Sequence, residues 1–192
     1  MAVPILSEQE SRRQQTFTAL MWALSRPGEV QTFTPLEHDA TGLETIAQTV
    51  LDLETSFFTP DTALCSKLKR TGAHCKPASQ AAYQFYPSLE LEQLFLLESA
   101  PIGTLLNPDQ SATLVIACEF EVGVKLELSG PGIQDKSRLE VAGLPLEFFK
   151  LRNRVVSFPL GWDVLLASRN LSEVNLVGIP RSTHLEILNG AF

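Results

Sequence analysis

The chain has 192 residues, 15 of them basic and 22 acidic, for a formal charge of −7. A chain that grips polyanions needs a basic surplus on at least one face, so neither nucleic acid nor an anionic membrane surface is an expected partner, although a local basic pocket stays open. Hydrophobic residues at 44% and charged residues at 19% belong to a globular chain able to bury a core, and the length fits one domain over 1–192. Apolar runs such as 94–97 and 113–118 fall far short of the roughly 20 residues that span a bilayer. Residues 1–10 hold no basic residue followed by an apolar stretch, so no secretory signal is expected. Cys65, Cys75 and Cys118 are odd in number and widely spaced, which argues against a disulfide framework and for a reducing, cytoplasmic setting.

In chain order, Ser7-Glu8-Gln9-Glu10 has the form of a capping box and opens a helix. Its three- and four-residue spacing predicts that Phe17, Leu20, Met21 and Leu24 form the buried stripe. Pro27 ends that helix by Ser25 or Arg26, and 30–34 reads as a short strand. A second capping box, Thr41-Gly42-Leu43-Glu44, starts a helix whose buried side is Leu43, Ile46, Ala47, Val50 and Leu51. Residues 56–59 read as a strand, and Asp61 caps a third helix that runs to Lys69 and stops at Gly72. A strand-like stretch at 81–86 and a short helix at 88–97 follow.

From Ala112 the texture turns β-branched and alternating, and 113–120 with 124–129 read as an antiparallel hairpin around Glu121-Val122-Gly123. Gly130-Pro131-Gly132 is a sharp turn, 145–154 is helical, and strands fall near 164–167, 176–179 and 185–188. These elements predict an α/β fold with a mixed or largely antiparallel sheet flanked by helices.

Three segments concentrate polar residues where a core has no use for them: Ser25-Arg26-Pro27-Gly28, Phe158-Pro159-Leu160-Gly161-Trp162-Asp163, and Ile179-Pro180-Arg181-Ser182-Thr183-His184-Leu185-Glu186. In the third, arginine offers a planar fork of donors, the hydroxyls donate and accept, and histidine titrates near neutrality. If the stretch is extended, Arg181 and Thr183 share a face with Leu185, whereas Ser182, His184 and Glu186 face the other way, so one compact pocket cannot use them all. Two readings stand for Arg181: a pair with a carboxylate at an interface, or contact with a ligand or partner. Asp163 is read chiefly as an acceptor for loop amides, Trp162 as a packing or interface anchor, and Cys118 as a buried thiol. Phosphate-loop, dinucleotide-turn, nucleophile-elbow and zinc-binding spacings do not occur, and His74 and Cys75, being adjacent, point apart, so no metal site is expected.

At these segments the chain resembles the PhnH subunit of the bacterial carbon-phosphorus lyase system, which breaks down phosphonates. The resemblance runs from about Ser7 to Leu188 and rests on Ala23-Leu24-Ser25-Arg26-Pro27-Gly28, Leu128-Ser129-Gly130-Pro131-Gly132-Ile133, the Phe158 to Asp163 stretch and the Ile179 to Glu186 stretch, in that order. It is weakest between residues 55 and 106. It implies a homodimer that works beside PhnG, PhnI and PhnJ subunits, in an assembly that converts ATP and phosphonate to α-D-ribose 1-methylphosphonate 5-triphosphate before radical cleavage of the carbon-phosphorus bond. It also implies the fold of pyridoxal-phosphate-dependent transferases without the cofactor. All six lysines, at 67, 69, 76, 125, 136 and 150, lie outside the matched motifs, which agrees with an absent Schiff base. No catalytic residue is expected on this chain. The ligand- or partner-binding candidates are Ser25, Pro27, Gly28, Gly161, Trp162, Asp163, Arg181, Thr183 and His184. An independent enzyme, with Arg181 clamping a phosphorylated or phosphonate substrate and His184 as acid or base, is the competing reading; a pyridoxal-phosphate enzyme is a remote third.

Overall fold

A computed structural model describes residues 7–37 and 39–188; residues 1–6 of the N-terminal stretch and residues 189–192 lie outside them. The strands are β1 (Gln31–Phe33), β2 (Ser56–Phe58), β3 (His74–Cys75), β4 (Tyr83–Tyr86), β5 (Thr113–Ser129), β6 (Ser137–Ala142), β7 (Asp163–Ser168), β8 (Val174–Ile179) and β9 (His184–Leu188). The helices are α1 (Glu8–Ser25), α2 (Gly42–Val50), α3 (Thr62–Leu68), α4 (Leu94–Glu98) and α5 (Leu146–Val155). The main sheet has the order β1-β8-β7-β5-β4-β2-β3, with β7, β5, β4, β2 and β3 parallel and β8 and β1 antiparallel to their neighbours. The fold is therefore α/β with a mixed sheet flanked by helices, as expected.

Both faces of the central strands are covered. Leu114, Ile116 and Cys118 of β5 pack with Val164 and Leu166 of β7 and with Phe148 and Phe149 of α5. The alternate residues Val115 and Ala117 face Leu165, Ala167 and the helices α1, α2 and α3 through Ala23, Ile46, Ala47 and Leu68. Alternation in a strand sends successive side chains to opposite faces, so two apolar layers make the strand read as a continuous apolar run.

The residues 113–129 do not fold back as a hairpin. They form one strand whose first half lies in the main sheet and whose second half pairs with β6 on one side and β9 on the other. Phe120 and Val124 both sit opposite Val141, so the intervening residues bulge out of the ladder. Glu121 (φ 66°) and Gly123 (φ 97°) take left-handed backbone geometry there, and a Cβ on Gly123 would lie 2.5 Å from the Val141 carbonyl oxygen. The glycine that resembled a hairpin turn is thus the glycine of a bulge. The partner strand β6, a short polar–apolar alternation around Leu139 and Val141, and the two-residue β3 are not among the predicted elements.

Helix α1 has the full Ser7/Glu10 capping box, but its buried face is Thr16, Ala19, Leu20 and Ala23. Of the predicted stripe only Leu20 is buried; Leu24 is half-buried, while Phe17 and Met21 are 52% and 48% exposed. The cause is a close approach of main chains: a Cβ on Gly178 of β8 would lie 2.3 Å from the Ala23 carbonyl oxygen and 2.9 Å from the Leu24 nitrogen. Small residues, not large ones, fit that face. On α2 the predicted side is buried, with Val50 half-buried. Its N-cap is Thr41, which accepts from the Glu44 amide; the Glu44 carboxylate does not return to the cap but takes Lys67 of α3 at 2.7 Å. Asp61 caps α3, which continues as a 3-10 turn to Thr71 before the left-handed Gly72. The expected helix at 88–97 is a 3-10 turn, Leu91–Gln93, followed by α4. No helix among the described residues is long and apolar enough to cross a membrane.

Cys65 and Cys75, ten residues apart, are brought together across α3 and β3 with their Sγ atoms 3.6 Å apart, both as free thiols. Desolvation, with Cys65 alongside, raises the Cys75 thiol above its ordinary value. Cys118 is fully buried, and burial pushes its thiol up to about 12.

Two outcomes are expected. Gly178→Ala places a methyl group into the α1 main chain and lowers stability by several kcal/mol, about the range of overpacked cores and above, as read from urea unfolding; an unchanged midpoint contradicts the close approach. For Cys118 the folded-state pKa is raised, so the unfolded thiol ionises first as pH climbs past 9 and stability falls from there toward pH 12. Cys118→Ala, compared with the parent by unfolding at pH 8 to 11, should remove one proton from that alkaline slope, about 1.4 kcal/mol per pH unit; parallel curves refute it.

Candidate functional site

The polar segments singled out in the sequence converge at one end of the sheet, where β7 begins and β8 ends. Asp163 is the first residue of β7, and its amide donates to the Ala112 carbonyl at 3.2 Å. Across the sheet, β8 leaves at Ile179 and turns through Pro180–Thr183, closed by the Thr183 amide on the Pro180 carbonyl at 2.9 Å, before β9 starts at His184. Pro180 restricts its own φ and helps set this turn.

Asp163 and Arg181 hold the two pieces together. Asp163 Oδ1 accepts from the Arg181 amide at 2.8 Å and from Nε at 3.2 Å, and Oδ2 accepts from a terminal guanidinium nitrogen at 2.7 Å. The other terminal nitrogen donates to the Pro108 carbonyl. The side chains are only 17% and 18% exposed, so this is a desolvated fork-to-fork pair and not a loose surface contact. The expected carboxylate partner of Arg181 and the expected amide-accepting role of Asp163 are met by one contact, which lies inside the chain and not across an interface.

Below the turn lies a residue that looks, in sequence, like an ordinary helix position. Arg152 of α5 is 2% exposed and donates to the Pro180 carbonyl at 2.8 Å and the Thr183 carbonyl at 3.0 Å, and its neighbour Asn153 donates to the Leu185 carbonyl at 2.8 Å. Desolvation lowers the Arg152 pKa to about 10, partly opposed by the nearby Asp163 charge. A charged residue on a helix with Phe148, Phe149 and Leu151 buried beside it was the signal available in sequence, since such residues are almost never fully buried without partners.

The other candidates divide by exposure. Trp162 is fully buried and stacks on Phe148 with centroids 6.5 Å apart, and Gly161 is buried with its amide on the Ile102 carbonyl at 2.9 Å. Thr183 is buried, whereas His184 is exposed and meets Glu186 at 3.3 Å. The alternation expected of an extended stretch therefore holds from Thr183 onward, although 180–183 is a turn. Ser25 is exposed, Pro27 buried and Gly28 half-buried, with the Gly28 amide on the Gly178 carbonyl at 3.3 Å.

Glycine packing joins these segments. A Cβ on Gly132 would lie 2.3 Å from the Ser25 carbonyl oxygen, and one on Gly130 would lie 3.0 Å from the Ser182 carbonyl oxygen. The turn 130–132 is the wedge between the end of α1 and the β8–β9 turn. Outside the Asp163–Arg181 pair lies an open cleft of about 330 Å³ lined by Pro108, Asp109, Phe158, Pro159, Asp163, Pro180, Arg181 and Ser182. Phe158, before a cis Pro159, is 71% exposed at its rim. Among the described residues no group of three or more His, Cys, Asp or Glu is placed to hold a metal ion.

The arrangement defines a class: an α/β chain whose polar motif residues bind one another at the amino ends of its parallel strands. The model for PhnH, the bacterial phosphonate metabolism protein, matches residues 4–186. The chain belongs to the PhnH family. It is also 36% identical, over 184 residues, to a Stutzerimonas stutzeri protein that carries the name of a putative C-P lyase subunit, HtxG; the match covers 93% of this chain and 88% of the relative.

Removing one partner of the buried pair leaves the other charge uncompensated, so Arg181→Ala should cost about 3–5 kcal/mol and lower Tm by roughly 2–4 °C for each kcal/mol lost. The double variant with Asp163→Ala should cost much less than the sum of the two single changes. Additive losses in calorimetry would show that the pair is not coupled.

Proposed function

We propose that this chain is a non-catalytic subunit of a carbon-phosphorus lyase complex, acting in the formation of α-D-ribose 1-methylphosphonate 5-triphosphate from ATP and phosphonate. Family membership over nearly the whole chain supports the phosphonate role, and the name of the HtxG relative supports the assembly. The observation that carries the non-catalytic part is the use of Arg181: three of its nitrogens and its amide are spent on Asp163 and Pro108, so it is no free clamp for a substrate anion. His184, which an independent enzyme would need beside it, points to solvent and Glu186.

In this reading the chain is one domain over 1–192, related in fold to pyridoxal-phosphate-dependent transferases, which pairs with a second copy and with PhnG-, PhnI- and PhnJ-type subunits. Ser25, Gly28, Asp163, Arg181 and His184 shape the partner-facing edge instead of a reaction centre. Pro27, Gly161, Trp162 and Thr183 act from beneath it, and exposed Phe158 supplies an aromatic anchor of the kind that dominates interface energetics.

Co-purification with a PhnI-type subunit, together with growth on a phosphonate as sole phosphorus source, tests the proposal. The chain should enter a stable complex, its loss should abolish growth, and Phe158→Ala should weaken the complex about tenfold or more while the Tm of the free chain stays unchanged. Failure to form any complex would sink the assembly role, and turnover of ATP and phosphonate by the isolated chain would restore the enzyme reading.

A further inference from the structure

The opposite end of the parallel strands holds a second cleft, outside the three polar segments singled out in the sequence. It encloses about 340 Å³ and is built on the carboxyl ends of the parallel strands: Asp61 follows β2, Pro87 follows β4, Ala117 lies in β5, Ser168 ends β7 and Arg169 comes next. Within the parallel strands the order is β3-β2-β4-β5-β7. The chain goes from β2 outward to β3, then crosses back to lay β4 on the other side of β2. Such a reversal sends the connections on either side away from each other and leaves a crevice at the carboxyl ends, the usual ligand position of open α/β sheets.

We propose that this crevice binds a small organic anion, its apolar body against Leu43, Leu64 and Ala117 and its charged group at Arg169. Those three side chains are 4%, 6% and 5% exposed, so the floor is apolar and already formed. The charges around it are unequally committed. Asp61 is spent on the Leu64 amide at 2.7 Å, and Glu44 on Lys67 at 2.7 Å. Among the described residues the polar contacts of Arg169 are long, 3.5 Å to the Pro87 carbonyl and 3.8 Å to Glu119, which leaves its guanidinium available to a carboxylate, sulfonate or phosphoryl group. An apolar floor with one loosely committed cation at the mouth, Lys67 being paired with Glu44, selects a ligand with both characters and disfavours a bare inorganic ion that cannot use the floor. The proposal stands independently of the assembly role.

The test uses two fluorescent probes that share the same rings, 1-anilinonaphthalene-8-sulfonate and N-phenyl-1-naphthylamine, which lacks the sulfonate. The purified chain should bind the sulfonate saturably, one to one, and about tenfold or more tighter than the uncharged probe, a difference of roughly 1.4 kcal/mol. Arg169→Gln should erase that preference. Ala63→Trp, at an exposed position on the cleft wall, should remove both affinities with Tm unchanged. Equal affinity for the two probes in the parent, or sulfonate binding that survives Ala63→Trp, for instance on exposed Phe17 and Met21, overturns the proposal. Should the tryptophan variant fail to fold, Arg169→Gln decides alone: a preference for the sulfonate that persists in it overturns the proposal equally.

Discussion

The contact between Asp163 and Arg181 decides how the two halves of the sheet close. It joins the first residue of a central strand to a turn that lies 18 residues further along, and it takes most of both side chains out of water. A pair of this kind adds little net stability over apolar packing, because both ions lose their hydration, but it accepts only one geometry. That geometry is fixed from below by Arg152, which holds the carbonyls of Pro180 and Thr183 and so sets the turn on which Arg181 stands. With the turn in place, β9 can start at His184 opposite Ser129 and extend the second half of β5.

Where the sequence was legible, local chemistry was enough. Ser7, Thr41 and Asp61 each cap a helix by accepting an amide three residues on, and that contact depends on nothing distant. Where it misled, the deciding group was elsewhere in the chain. Glu44 has the spacing of a capping box but is drawn off by Lys67, 23 residues away. Phe17 and Met21 have the spacing of a buried stripe, yet Gly178 brings the main chains too close for them. Gly123 carries the same left-handed backbone in a bulge as in a hairpin, and only the pairing of both halves of β5 with β6 tells the two apart.

The same division applies to the sites. The motif segments could be picked out because their residues are polar and adjacent in sequence, and they turn out to contact one another. The carboxyl-end cleft could not, since it draws Leu43, Asp61, Pro87, Ala117 and Arg169 from five separate elements or connections, and each alone looks ordinary. Its location follows from strand order, which is a property of the assembled sheet. The two sites therefore lie at opposite ends of the parallel strands, one occupied by the protein's own side chains and the other lined by groups with fewer obligations.

The glycine contacts have a consequence for how sequences of this kind can change. Where two side chains meet in a core, a gain of volume on one can be offset by a loss on the other. At Gly178 against Ala23 and at Gly132 against Ser25, the obstructing atom is a carbonyl oxygen of the main chain, the same in every amino acid. No replacement at Ala23 or Ser25 can make room, so these positions lack the compensating routes open to the rest of the interior, and the path of α1 over the sheet is tied to glycine at 178 and 132 whatever the surrounding residues become.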